Sequence, residues 1–304
     1  MSLVPSNQER QHVVGGPVAI WTFALDSLPA SRAKESAAEL EDLGYAALWF
    51  GEDQGREAFV NASLLLSSTK TLVVATGIAI VYVRDAMATN AASLTLAEAY
   101  PKRFVLGLGV GHRPLLEQRG HIHRPPLSAM REYLEGVDAS PYTAAKPEQR
   151  PPRVLAALGP KMLMLAAERA DGAHTYLVTP EHTFEAREIL GERAILAVEQ
   201  AVVPTTDRQQ ALRLARTHLH EYLLLPNYRN SWLRQGFNEQ DLVDGGSERL
   251  VEALVAWGDE QAIRERIERH LSAGATQVCV QILAETAFEE FSGWRRLAPA
   301  LLDR

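Results

Sequence analysis

Apolar runs alternate along the chain with amphipathic stretches, and this alternation predicts a repeated strand–helix unit. Short and nearly continuous apolar runs are typical of strands buried on both faces of a parallel sheet. Eight strands are predicted on this basis: Val18–Ala24, Tyr45–Phe50, Leu72–Ile78, the strand that begins at Phe104, Val154–Leu158, Ala173–Val178, Ala194–Val203 and Thr276–Leu283.

Helices are predicted between the strands, from apolar positions spaced three and four residues apart. They are Ser31–Leu43 with Ser31 as its cap, Ala58–Leu66, Met87–Tyr100, Lys161–Ala170, Glu181–Leu190, a long helical region Asp207–His270 broken at Pro226-Asn227 and Gly245-Gly246, and a closing helix Phe288–Leu301. The proline-containing segments 114–126 and 141–152 are predicted as loops. Eight strands that alternate with helices favour a single α/β domain over residues 1–304, a parallel (β/α)8 barrel, with residues 1–16 as a flexible amino terminus. A doubly wound open sheet is the main alternative.

The strand that begins at Phe104 carries glycine at alternate positions, Gly107, Gly109 and Gly111, and His112 follows. Glycine weakens a strand interior, so its repeated use indicates that another group comes close to the backbone. The stretch therefore predicts the floor of a ligand site. The dinucleotide fingerprint Gly-x-Gly-x-x-Gly is excluded, because the third glycine would fall on His112 or on Pro114.

Composition narrows the class of protein. The 304 residues are 46% hydrophobic, which is enough for a large core, and the formal net charge of -7 argues against a nucleic-acid or anionic-membrane partner. The one cysteine, Cys279, lies in an apolar run and is predicted to be a core residue. His121 and His123 have no third ligand nearby, so no metal site is predicted. The amino terminus lacks the pattern of a signal peptide, and a cytoplasmic location is expected.

The junction Leu158-Gly159-Pro160-Lys161 is the best candidate for an anion site. Pro160 suits the first position of a helix, and Gly159 leaves the cap open to a ligand. The free N–H groups of the first turn and the helix dipole would then favour a negative charge. Lys161 at a helix start is unfavourable unless an anion compensates it.

Several motifs in order resemble the bacterial luciferase-like superfamily. They are Thr76-Gly77-Ile78, Arg103-Phe104-Val105-Leu106-Gly107-Leu108-Gly109-Val110-Gly111, Leu158-Gly159-Pro160-Lys161-Met162, Ala170-Asp171-Gly172-Ala173 and Gly274-Ala275. Within it the chain is most similar to the oxidoreductases that use the deazaflavin coenzyme F420, and less similar to the monooxygenases that use flavin mononucleotide (FMN). Two positions depart from the family pattern: Lys102 stands where relatives have glycine, and Asp53 where they often have histidine.

The resemblance implies a luciferase-like (β/α)8 barrel with the ring of the coenzyme over its mouth. It also implies a non-proline cis peptide at Gly77–Ile78 behind the ring, and hydrogen bonding of Glu52 to the ring. The residues implied to contact the coenzyme, with Lys161 added from the anion site, are Gly77, Ile78, Val110, Gly111, Ala156, Ala157, Leu158, Gly159 and Lys161. Homodimers are common among such relatives, and a reductase that supplies reduced cofactor is a further candidate partner.

Hydride transfer needs no protein nucleophile, but it does need a proton donor or acceptor near the substrate. His112 is the first candidate, because its ordinary pKa suits exchange near neutral pH, and Glu52 is the second. Tyr82, Arg84, His174 and Tyr176 are predicted to line the substrate pocket, although His174 on a strand also suits a core position. The leading hypothesis is an F420-dependent oxidoreductase acting on a small organic molecule. An FMN-dependent monooxygenase and a non-catalytic barrel that binds the cofactor are the alternatives.

Overall fold

The computed structural model describes residues 14–302, and the strands within them form one parallel sheet that closes on itself. The strands are β1 (Val18–Trp21), β2 (Ala47–Phe50), β3 (Val73–Thr76), β4 (Ala79–Ile80), β5 (Phe104–Gly109), β6 (Arg153–Ala156), β7 (Gly172–Thr175), β8 (Ile195–Val203), β9 (Val255–Trp257) and β10 (Gln277–Ile282). Strand β10 pairs with both β1 and β8, which closes a ring of eight strands in the order β1-β2-β3-β5-β6-β7-β8-β10. The predicted (β/α)8 barrel is confirmed, and the open sheet is excluded because an open sheet leaves two edges unpaired.

Helices follow the strands and cover the outside of the barrel. They are α1 (Ala30–Leu43), α2 (Ala58–Leu66), α3 (Ala86–Ala99), α4 (Arg113–Gln118), α5 (Pro126–Ala139), α6 (Pro160–Arg169), α7 (Pro180–Leu190), α8 (Arg208–Leu223), α9 (Pro226–Arg234), α10 (Glu248–Leu254), α11 (Glu260–Ser272) and α12 (Ala287–Leu301). Short 3-10 helices span Ala24–Ser27 and Glu239–Leu242.

The core has two layers because successive strand residues point to opposite faces of the sheet. Ile20, Leu48 and Val280 belong to the layer between the strands and the helices. Their neighbours Ala19, Trp49 and Cys279 belong to a second cluster that fills the barrel interior and continues beneath α8, α9 and α10. Cys279 is fully buried, as predicted.

Four predictions about secondary structure were wrong. Strand β1 ends at Trp21 rather than Ala24, and α1 begins after Pro29 without a side-chain cap from Ser31. Part of the predicted loop 114–126 is the short helix α4, and the helix α5 after it was not predicted. The predicted helical region Asp207–His270 contains strand β9, which pairs with the last residues of β8. Three residues are too few to show a strand period in the sequence.

The amino-terminal segment 1–16 was predicted to be flexible, and residues 1–13 lie outside the described residues. Of the remainder, Val14 is fully buried. The side-chain amide of Gln277 donates to the backbone oxygens of Val14 and Gly16, both at 2.7 Å. These contacts attach residues 14–16 to the amino-terminal end of the barrel.

Lys102 has a left-handed backbone conformation, with φ of +64°. Side chains other than glycine are strained there, which agrees with the glycine that the family resemblance implies at this position. The next residue, Arg103, donates through its guanidinium group to the backbone oxygens of Leu66, Thr69 and Leu72 at 3.0–3.2 Å. Arg103 therefore fixes the turn that starts β5.

Candidate active site

A bulge interrupts the third strand of the barrel between β3 and β4. The Gly77–Ile78 peptide bond is cis, which confirms the prediction. Three bonds hold the bulge: Trp21 Nε1 donates to the Gly77 oxygen at 3.1 Å, the Gly77 N–H to the Phe50 oxygen at 2.6 Å, and the Glu52 N–H to the Ile78 oxygen at 3.2 Å. Ile78 is half-buried at the carboxyl end of the barrel, where ligands of this fold bind.

The alternating glycines of β5 make room for this bulge. A Cβ atom on Gly107 would collide with the Thr76 carbonyl oxygen, and one on Gly109 would lie 2.5 Å from the Ile78 side chain. One on Gly111 would lie 3.1 Å from Ile80. The group that comes close to the glycine backbone is therefore the neighbouring strand. Its closeness accounts for the three glycines, and no bound ligand is needed to explain them.

Glu52 and Arg84 support the bulge from behind. The Glu52 carboxylate is buried and accepts hydrogen bonds from the backbone N–H groups of Ala58 at 3.1 Å and Ile80 at 2.7 Å. It also forms an ion pair with Arg84, whose other carboxylate partner is Glu57 at 2.8 Å. Both oxygens of Glu52 thus have partners in the protein. These contacts give Glu52 and Arg84 a positioning role for β4, and their predicted roles at the coenzyme and in the substrate pocket stay predictions.

The predicted anion site lies two strands away from the bulge. Helix α6 begins after Gly159 with no side-chain cap. Pro160 has no N–H and Met162 donates to the Gly159 oxygen at 3.1 Å, so in the first turn the N–H of Lys161 is the group left for a ligand. Arg234 of α9 donates to the Leu158 oxygen at 3.2 Å and lies 3.3 Å from where a Gly159 Cβ would stand. Lys161 is exposed beside it. The first turn of α6 therefore has a cationic side chain on each side.

The bulge and the anion site are connected through β5. A Cβ on Gly109 would contact both Ile78 and, at 3.2 Å, Ala156 of β6. The three segments that the resemblance assigns to the coenzyme therefore lie side by side at the mouth: Gly77–Ile78, Val110–Gly111 and the segment Ala156, Ala157, Leu158 and Gly159. Together they form a continuous row of backbone from the bulge to the amino terminus of α6, called the groove below.

His112 lies between β5 and α4, next to this groove. Its ring is half-buried and packs against Tyr228 with the ring centroids 5.7 Å apart. Burial lowers the pKa of His112 below its ordinary value, and the carboxylate of Asp53 opposes that shift in part. The imidazole is therefore neutral at neutral pH and has a lone pair that can accept a proton.

Aromatic rings from four parts of the chain form a cluster at the mouth, called the aromatic wall below. It consists of Trp21 at the end of β1 with Phe23 after it, Tyr176 after β7, His218 and Tyr222 of α8, and Tyr228 and Trp232 of α9. The centroids of Tyr222 and Tyr228 are 4.8 Å apart, and those of Trp21 and Tyr176 are 5.1 Å apart. Trp21 contacts the bulge and Tyr228 contacts His112, so the wall borders the groove.

Two side chains fix the loop that carries Tyr176. Leu177 is buried and has a left-handed backbone conformation, with φ of +51°. Its N–H donates to Glu199 Oε2 at 2.9 Å, and its oxygen accepts from Trp232 Nε1 at 3.0 Å. A left-handed leucine costs about 1–2 kcal/mol, and these two hydrogen bonds offset that cost. The loop is therefore locked in a conformation that places Tyr176 in the wall.

Two of the residues predicted to line the pocket are held by contacts within the protein, and their place in the pocket stays a prediction. His174 Nε2 lies 3.3 Å from where a Cβ on Gly77 would stand, next to the bulge. His174 is buried inside the barrel, stacked on Trp49 with centroids 4.8 Å apart, and burial lowers its pKa to about 4. Its Nδ1 lies 3.1 Å from the Ala197 oxygen. Tyr82 accepts a hydrogen bond from the Arg124 N–H at 3.3 Å and packs on His121, so it holds the loop after α4.

The sequence did not single out several residues of the site, namely Trp21, Phe23, His218, Tyr222 and Arg234. A signal existed for two of them, because His218 and Tyr222 are four residues apart on one helix and so share a face. Tyr228, Trp232 and Arg234 fall between the predicted breaks at Pro226-Asn227 and Gly245-Gly246, a stretch in which no site residue was predicted. No group of three or more metal-ligating side chains occurs within residues 14–302. Over the same range no helix is both long and apolar enough to cross a bilayer.

The family model described as luciferase-like monooxygenase matches residues 8–277. The chain belongs to this family. Among solved structures, this family member is similar to an F420-dependent secondary alcohol dehydrogenase, with a TM-score of 0.73 and 17% identity over 94% of this chain and 98% of that one. It is also similar to the FMN-bound oxygenating constituent of 3,6-diketocamphane monooxygenase from Pseudomonas putida, with a TM-score of 0.66 and 16% identity over 94% and 98% of the two chains. These likenesses support the fold.

Two curated relatives match part of this family member. One is the 5,10-methylenetetrahydromethanopterin reductase of Archaeoglobus fulgidus, 30% identical over 43% of this chain and 45% of the relative. The other is a protein of Mycobacterium tuberculosis provisionally named a coenzyme F420-dependent oxidoreductase, 29% identical over 47% of this chain and 50% of the relative. The matched region thus spans about half the length of each relative.

Proposed function

We propose that this protein is an oxidoreductase that transfers a hydride between coenzyme F420 and a small organic substrate. The observation that carries the proposal is the row of segments from the Gly77–Ile78 bulge, across β5, to the uncapped amino terminus of α6. One end offers the apolar side chain of Ile78, and the other offers the N–H of Lys161 with Arg234 close to Gly159. A flat ring with a phosphate-bearing tail suits both ends, and a curated relative named for F420 supports the choice of coenzyme.

The residues present fit such a group. Ile78, with the β5 glycines behind it, would support the ring, and Gly159 leaves the cap of α6 free because it has no side chain. Lys161 and Arg234 would compensate the charge of the tail. When bound, the deazaflavin supplies a carbon that gives or takes a hydride.

The chain itself would orient the coenzyme and handle one proton. The His112 imidazole, neutral at neutral pH, would accept the proton of a substrate hydroxyl, and in the reverse direction its protonated form would return it. Glu52, the second candidate proton carrier, is bound to Arg84 and two backbone N–H groups and would act on β4 instead. The homodimer and the reductase partner stay predictions.

Cofactor titration tests the proposal. Purified protein is titrated separately with oxidised F420 and with FMN, and binding is followed by the fluorescence of each cofactor. We expect F420 to bind at least about tenfold more tightly than FMN. Tighter binding of FMN would favour a monooxygenase instead. Tight binding of F420 without turnover of any carbonyl or imine in a broad panel would favour a non-catalytic carrier.

A further inference from the structure

The aromatic wall contains a hydrogen-bond chain that includes the half-buried residue Tyr222. Tyr222 donates to the Tyr176 hydroxyl at 3.0 Å, and Tyr176 donates to Gln281 Oε1 at 2.6 Å. Tyr176 and Gln281 are buried, whereas Tyr222 is half-buried. The chain therefore runs from the barrel interior to Tyr222 of α8.

The surroundings of this chain carry no compensating positive charge. Burial raises the pKa of Tyr176, Tyr222 and Tyr228, and the charged groups that add to the increase are acidic, namely Glu199, Asp53 and Glu221. Glu199 is itself fully buried, and its pKa is raised to about 8, so it is largely protonated at pH 7. A carboxylate or phosphate placed against this wall would lose its hydration without gaining an ionic partner.

Two buried polar atoms beside the wall lack partners: Glu199 Oε1 and His218 Nε2. Unpaired buried polar atoms are rare in folded proteins and call for an explanation. The tyrosine rings also pack against one another, with Tyr176 and Tyr222 5.3 Å apart and Tyr222 and Tyr228 4.8 Å apart. These rings fill the space between one another, the second pair edge to face at 73°, whereas recognition of an organic cation uses rings arranged around a gap.

We propose that the aromatic wall is the substrate-recognition surface, that it selects an uncharged alcohol or ketone with an apolar body, and that Tyr222 binds the substrate oxygen. This inference rests on the proposed hydride transfer, which needs an oxygen on the reacting carbon. The apolar body packs on Trp21 and Tyr228, next to the bulge and His112. If the Gln281 amide turns over, the chain reverses and Tyr222 donates to the substrate oxygen of an alcohol or a ketone. The single hydroxyl proton of an alcohol then stays available to His112.

The test uses ligand-observed NMR titrations with three probes of one shape: cyclohexanol, cyclohexanecarboxylate and cyclohexylammonium. For the wild-type protein we expect cyclohexanol to bind at least about tenfold more tightly than either ion. Tyr222→Phe removes one hydroxyl and should weaken cyclohexanol binding about threefold to tenfold. Tyr142→Phe is the matched control, because Tyr142 is also half-buried and its hydroxyl also lies near another one, Thr95 Oγ1 at 3.2 Å.

Each outcome decides between the proposals. The assignment of the wall is overturned if either ion binds as tightly as cyclohexanol. It is also overturned if Tyr222→Phe and Tyr142→Phe bind cyclohexanol with equal affinity. F420 affinity is measured separately on the same three proteins. If F420 does not bind while cyclohexanol binding still depends on Tyr222, hydride transfer from F420 fails and the recognition surface stands. If F420 binds and the Tyr222 dependence is absent, only the recognition surface fails.

Discussion

Gly109 and Ile78 lie so close across two neighbouring strands that a single added methyl group would not fit between them. A Cβ atom on Gly109 would stand 2.5 Å from Cγ1 and Cδ1 of Ile78. The glycine thus determines where the bulge residue sits, and with it the proposed backing for the coenzyme ring. The relationship links a sequence pattern in β5 to the shape of the mouth.

Gly109→Ala should therefore displace Ile78. Overpacking of this kind costs about 1–3 kcal/mol, and we expect a loss of that size in the free energy of unfolding together with weaker F420 binding. Chemical denaturation and cofactor fluorescence measure the two effects. Ile78→Ala supplies the control in a double-mutant cycle, because it removes the atoms that Gly109→Ala would meet. Strictly additive effects of the two substitutions would show that this contact is not the cause.

Glu52 and Glu57 both contact Arg84, but only Glu52 is buried. Glu52→Gln should lower the free energy of unfolding by about 3–5 kcal/mol, because it leaves the Arg84 charge without its buried partner. Glu57→Gln should cost less than about 1 kcal/mol, as is usual for exposed pairs. Urea denaturation of the two variants provides the comparison. Similar losses for both would contradict the role of Glu52 in holding β4.

Arg234 should contribute to coenzyme affinity through its position beside Gly159. We expect Arg234→Ala to weaken F420 binding about tenfold, or about 1.4 kcal/mol, with a smaller salt dependence than the wild type. Arg213→Ala is the control, since Arg213 is also exposed but pairs with Glu285. Unchanged affinity and unchanged salt dependence in Arg234→Ala would place the anionic tail elsewhere.

His112→Ala should lower kcat for alcohol oxidation about 10²–10⁴-fold while F420 affinity changes less than twofold. Burial lowers the pKa of His112 below its ordinary value of 6.5. Wild-type kcat should therefore not depend on pH near neutrality and should decrease only when the pH falls below 6.5. Stopped-flow measurement of F420 reduction across pH gives both values. If His112→Ala keeps the wild-type kcat and pH profile, His112 is not the residue that transfers the proton.

Glu199 makes the stability of the fold depend on pH. Its pKa is about 8 in the folded chain and near 4.5 when unfolded, so the folded state binds the extra proton between these values. The contribution of Glu199 to the free energy of unfolding is complete below about pH 4.5 and is lost as pH rises through 8. Between these values the free energy of unfolding falls by at most about 1.4 kcal/mol per pH unit because of this group. Glu199→Gln should flatten the fall in unfolding free energy between pH 5 and 8. Parallel wild-type and variant curves would show that Glu199 is ionised in the folded protein.

Much of the barrel could be predicted from sequence because each strand is a local apolar run and each helix a local periodic pattern. Two short strands of the described residues were missed, β4 and β9; β9 has only three residues and is defined by its pairing with the end of β8. The cis bond at Gly77–Ile78 was predicted correctly, because a short motif carries the family resemblance there, and the anion site at Gly159 stays a prediction. The role of Glu52 could not be found, since its partners Arg84 and Ile80 are about thirty residues away and only the closed barrel brings them to it.

By itself the sequence determined the kinds of element, their order and the glycine and lysine positions at the mouth, since local periodicity and turn chemistry encode them. Only the tertiary structure decided which groups meet there. Tyr176, Tyr222 and Gln281 are separated by up to 105 positions, and no local pattern couples them. Closure of the barrel brings the ends of β1, β7 and β10 together, and α8 and α9 cover them because their aromatic side chains can be buried only against that mouth.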